Sequence, residues 1–132
     1  MTRPARALKA WLALTGVAYA VGAVGFVTRP RDALESLNAT GGEPAEHEGP
    51  PGLYNSLAGA YMATIAALAL TAAADPDARR SLIPPLLVGK AASSSALLYR
   101  YSRTRKRAFA VGAALDAFIL GVTAGLYSSL ED

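Results

Sequence analysis

Cysteine is absent from the 132 residues and histidine occurs once. The first absence excludes disulfides, thiolate metal ligands and a cysteine nucleophile. The second leaves no base for a conventional Ser-His-Asp triad and no imidazole pair for a zinc-binding helix. His47 lies between Glu46 and Glu48 in a stretch rich in Gly, Glu and Pro, where one imidazole lacks the convergent ligands that a metal site needs. Glycine-rich phosphate loops are missing as well. No catalytic set, no metal and no cofactor is therefore expected. Charge is scarce too, at 17% of residues, and most of it falls at the two ends and in the connections. The basic residues behind the net charge of +3 flank apolar runs, where they serve as anchors and orientation signals at anionic headgroups, so no nucleic-acid partner is expected.

Apolar residues make up 52% of the chain, much of it in unbroken runs rather than on one helical face. Ala10 to Thr28 and Leu53 to Ala74 carry no charge. At about 1.5 Å per residue, each is long enough to cross a hydrocarbon core of about 30 Å. The triplet Ala18-Tyr19-Ala20 looks like a signal-peptidase site, but the apolar run continues to Val27, so the segment is read as a persisting span. The expected architecture is an all-α, integral membrane four-helix bundle in one domain, with spans at about 8–28, 53–74, 81–101 and 108–130. Trp11 is placed near one interface and Pro30 just past the end of the first span. In the polar connection 29–52, Leu34 and Leu37 fit a short helical turn against the membrane. Its Asn38-Ala39-Thr40 is a glycosylation sequon of the kind that arises by chance. The third span is the least secure, because Pro84-Pro85 sits in its first turn and Lys90 at its middle, leaving a broken or re-entrant helix open.

Membrane helices associate through close contact of small residues and through internal polar groups, since lipid tails are as apolar as leucine. Ala113, Ala117, Gly121 and Gly125 recur every four residues in the fourth span and predict a packing ridge. Ser56, Ala60 and Thr64, with Gly59, Ala63 and Ala67 beside them, predict another in the second. Lys90 and Asp116 are the two charges inside spans, where an ionised group costs at least about 2.5 to 3.5 kcal/mol and needs a partner. Counted outward from Arg100 and Arg107, both lie at a depth of about 13 to 15 Å, so an antiparallel hairpin predicts an ion pair between them. Its default role is to fix helix register, with a proton or ligand site as the alternative. Asn55, Tyr61, Ser93, Ser94, Ser95 and Thr123 are the candidate lining of a polar cavity around it.

Four spans place Arg3, Arg6, Lys9, Arg79 and Arg80 on the side of the termini, against seven basic residues on the other side, a near tie under the positive-inside rule. A re-entrant third helix would instead join the basic run 100–107 to the side of the N-terminus, ten against two with the N-terminus inside, whereas insertion in both orientations would make the near balance real and functional. A glycine-rich first span followed by a proline (Gly22, Gly25, Pro30), the opening Leu57-Ala58-Gly59-Ala60-Tyr61 of the second, and a central basic residue in the third and acidic residue in the fourth, at Lys90 and Asp116, resemble the DoxX-like group of small four-helix membrane proteins. The chain departs from that pattern in its long acidic first connection, and in lysine and aspartate where arginine and glutamate are expected.

What the resemblance implies is a helical bundle, sometimes associated with membrane redox or quinone-linked complexes, and not a defined catalytic site. The leading expectation is an accessory or scaffolding subunit, or a small lipid- or quinone-binding protein. Its partners would be the lipid bilayer and a membrane protein or further copies of itself. The alternatives are a small oligomeric proton-coupled transporter and a membrane enzyme acting on an isoprenoid or quinone, each using Asp116. Abundant Ala, Gly and Arg fit a GC-rich bacterium and hence a bacterial inner membrane.

Overall fold

A computed structural model describes residues 1–30, 32 and 51–130, with the side chains of the second helix described from Ser56 onward. His47, Leu34, Leu37, the sequon at Asn38 and the side chain of Asn55 lie outside the described residues. Among those described, the chain is all-α with no strand. Its helices are α1 (Arg3–Thr28), α2 (Pro51–Ala74), α3 (Ile83–Thr104) and α4 (Arg107–Ser128), with a 3-10 turn at Arg80–Leu82 before α3.

Local chemistry sets the helix ends. Thr2 caps α1 by accepting the Ala5 N–H on its hydroxyl at 3.3 Å, and Pro4 occupies the first turn, where no amide donor is required. The Arg29 N–H closes the helix on the Gly25 carbonyl at 2.8 Å before Pro30. After α2, the Asp75 carboxylate accepts the Ala78 N–H at 3.1 Å, which turns the chain back. Pro84 and Pro85 do not break the third helix. They fall at its start, where a missing N–H interrupts no bond, and α3 continues for 22 residues. A re-entrant third segment is thereby replaced by a continuous helix. Arg105 ends α3 in the left-handed region (φ 59°), its N–H bonded to the Tyr101 carbonyl at 2.7 Å, a position that glycine usually takes.

The helices run up and down as two hairpins. The α1–α2 and α3–α4 pairs are the most extensively packed, while α1–α4 and α2–α3 meet over shorter lengths. Leu8 and Leu12 of α1, Ala69, Ala72 and Ala73 of α2, and Ile83 and Leu86 of α3 form a buried cluster at the end that carries the termini, with Leu126 and Tyr127 of α4 packed against it. Large apolar side chains also cover the outside. Leu14, Val17, Val21, Val24 and Val27 of α1 are 56–67% exposed, and Val88, Leu98, Leu115 and Phe118 are similarly open. A protein in water rarely presents such continuous apolar faces. All four helices are long and apolar enough to cross a membrane, the pattern of a multi-pass membrane protein.

Small residues are used differently from the sequence expectation. Ala113 is buried, but Ala117, Gly121 and Gly125 are exposed, and a Cβ added at Gly121 or Gly125 would meet nothing within 4 Å. The inward face of α4 is instead Ala113, Asp116, Ile119 and Thr123. Asp116 needs a partner inside the bundle, and that requirement turns the small-residue ridge, about 100° away, to the outside. On α2, Ser56, Ala60, Thr64, Ala63 and Ala67 likewise face outward, whereas Gly59 is buried against Val27 of α1. The closest helix approach that demands a glycine is at Gly16, where a Cβ would come within 2.6 Å of the Leu70 side chain and 3.1 Å of its backbone nitrogen. Gly16→Leu is expected to cost about 1–3 kcal/mol by overpacking α1 against α2. Gly121→Leu, which has open space, should leave stability within about 0.5 kcal/mol. Unfolding both variants in mixed micelles checks the contrast, and equal losses would contradict this packing.

Candidate functional site

Lys90 sits two turns into α3 and Asp116 midway along α4, and the antiparallel α3–α4 hairpin brings them level. Lys90 Nζ lies 2.6 Å from Asp116 Oδ1. Lys90 is 0% exposed and Asp116 6%. Burial of two opposite charges is tolerable only with direct pairing and further hydrogen bonds. Tyr19 of α1 supplies these. Its hydroxyl donates to Asp116 Oδ1 at 2.9 Å and accepts a hydrogen bond from the Lys90 ammonium. Tyr61 of α2 closes the fourth side, donating to the Gly89 carbonyl at 3.2 Å and setting its ring 5.3 Å from Lys90 Nζ, within cation–π range. One lysine thus ties together side chains from all four helices.

A cavity of about 260 Å³ extends from this cluster, away from the buried cluster at the termini end. Tyr19, Tyr61, Ser93 and Asp116 form its polar side, and Phe26, Met62, Leu97 and Phe109 its apolar walls. Leu115 also lines it while remaining 57% exposed, so the cavity opens toward the surface beside α4. At the other end of the bundle Ala69, Ala72, Ile83 and Leu86 fill the centre between the two hairpins. A second hollow, about 500 Å³, lies between α1 and α2 along Ala23, Val27, Ser56 and Gly59. It is shallow and apolar, with no ionisable group on its walls.

No family model, curated protein or solved structure matches this chain.

Of the residues expected to line a polar cavity, Tyr61 and Ser93 do so. Ser94 does not, because its hydroxyl donates to the Ala113 carbonyl at 2.9 Å and joins α3 to α4. Thr123 lies in the closed half of the bundle, accepting the Trp11 indole N–H at 2.9 Å and donating to the Ile119 carbonyl at 2.7 Å. Ser95 is exposed. Trp11 is turned toward α4, with its ring edge-on to Phe118 at 5.9 Å. Trp11 and Thr123 are joined for one reason. An indole N–H and a hydroxyl have no water partners within an apolar bundle, so they satisfy each other.

The residue that sequence reasoning missed is Tyr19. Its signal was present: Leu8, Leu12, Thr15 and Tyr19 follow a spacing of four, three and four, which puts them on one face of α1. Leu8, Leu12 and Thr15 are buried, and Tyr19 continues that inward stripe to the level of Asp116. Chemically, the lysine and aspartate cancel each other's charge, the tyrosines hold them in place, and the cavity offers hydrogen-bonding groups at the end of an apolar chamber. Among the described residues no cluster of metal-binding side chains is formed.

Proposed function

We propose that this protein is a small integral membrane protein that binds a lipophilic molecule, a lipid or a quinone-like compound, within its helical bundle. The observation that carries the reading is the cavity of about 260 Å³ that ends on Tyr19, Tyr61, Ser93 and Asp116. Ligand sites are typically apolar concavities with a few convergent polar groups, and this one has both parts. Catalysis is the weaker reading, because both Lys90 and Asp116 are committed to each other and to Tyr19. An accessory role in a larger complex is favoured by a separate feature, the outward ridge of Ala117, Gly121 and Gly125, which leaves room for a further helix to approach closely. The helical bundle and the Ala-, Gly- and Arg-rich composition fit a bacterial inner membrane as its location.

Gentle detergent extraction from native membranes followed by native mass spectrometry tests the reading directly. The expected result is one small lipophilic molecule retained per chain. A chain that emerges without any bound small molecule, from several detergents, would count against ligand binding. A stoichiometric protein partner in the same spectra would identify the accessory role.

A further inference from the structure

The polar end of the cavity is electrically balanced but not fully satisfied. Lys90 and Tyr19 both donate to the same carboxylate oxygen, Asp116 Oδ1. Among the described residues no donor reaches the other oxygen, Oδ2, although Asp116 is only 6% exposed and lines the cavity. Buried carboxylate oxygens strongly favour a donor. The Tyr61 hydroxyl does not supply it, since its proton points to the Gly89 carbonyl. The Ser93 hydroxyl is hydrogen-bonded to that of Tyr61, so Asp116 is the side chain left facing the chamber as an acceptor.

Resting on the ligand-binding reading above, we infer that the occupant is an uncharged amphiphile with a hydroxyl head, which donates to Asp116 Oδ2 while its apolar body lies against Phe26, Met62, Leu97 and Phe109. A head carrying only a carbonyl or an ether would set acceptor against acceptor. A cation would disturb a carboxylate already neutralised by Lys90, and an anion would meet that carboxylate directly. The chamber holds about nine times the roughly 30 Å³ share of one liquid water, room for a ring-sized head and the first carbons of a tail. A phenol and a primary alcohol present the same donor, so either source fits the site.

The test uses the full chain in lipid nanodiscs and measures binding of 4-hexylphenol and of its methyl ether, 4-hexylanisole, corrected with protein-free nanodiscs. A third probe, 4-hexylbenzylamine, carries a positive charge, and 1-octanol represents the alcohols. The phenol is expected to bind at least tenfold more tightly than the ether and more tightly than the amine. The octanol measurement decides between the two hydroxyl sources. In Asp116→Asn the side-chain amide can present a donor, so the phenol preference should shrink to less than threefold. If that variant does not fold, the wild-type comparison stands by itself. Equal binding of phenol and ether in wild type, both weakened by Ser93→Phe, would overturn the hydroxyl assignment while leaving the cavity as the binding site. Failure of every probe to bind would overturn both.

Discussion

Lys90→Met is expected to destabilise the bundle by about 3–5 kcal/mol, the usual penalty for leaving one member of a buried ion pair without its partner. Asp116 would keep its burial and lose its counter-charge, and the Tyr19 hydroxyl would lose the donor that holds it between the two. The loss arises from the stranded carboxylate rather than from any large intrinsic worth of the pair. It follows that Lys90→Met combined with Asp116→Leu should recover most of the stability, because an apolar pair of similar volume carries no desolvation penalty. A double-mutant cycle, read from unfolding in mixed micelles, would then give a coupling of several kcal/mol between positions 90 and 116. A single Lys90→Met that stays within about 1 kcal/mol of wild type would refute the pairing. The same double variant should remain folded while losing the donor preference of the cavity. That separates the cluster's structural role from its role toward a ligand.

The charged pair was legible in the sequence because two facts combine: an ionised group within an apolar span must find a partner, and equal distances from a short connection bring two positions level. Neither fact depends on knowing which way the helices face. The small-residue ridge depended on just that. Ala113, Ala117, Gly121 and Gly125 define a face, but periodicity in an all-apolar helix does not say which face turns inward. Asp116 decides it, and the ridge lies on the wrong side of that decision. Tyr19 was hidden for a related reason. A single tyrosine in an apolar span suits an interface, a signal-peptide boundary or a core, and only the stripe through Leu8, Leu12 and Thr15 places it in the core. The cavity was not legible at all. It is lined by side chains from all four helices, and the space they leave is set by their combined volumes rather than by any one segment.

Ser93→Phe is the substitution expected to separate folding from ligand binding most sharply. Ser93 is three residues after Lys90 on α3, so its side chain lies about a turn further along the same face and reaches the cavity wall. Phenylalanine there would occupy much of a chamber of about 260 Å³. Overpacking is costly where a side chain must displace close-packed neighbours, whereas here it enters existing space, so stability should change by less than about 1 kcal/mol. Ligand affinity should fall by about a hundredfold, or roughly 2.8 kcal/mol, because the occupant and the new ring compete for one volume. The matching control is Ala60→Phe, which fills the apolar groove between α1 and α2. If the ligand binds at the charged cluster, Ser93→Phe abolishes retention in native mass spectrometry and Ala60→Phe leaves it intact. The reverse result would move the binding site to the outer groove. The Lys90–Asp116 cluster would then serve only to hold four helices in register.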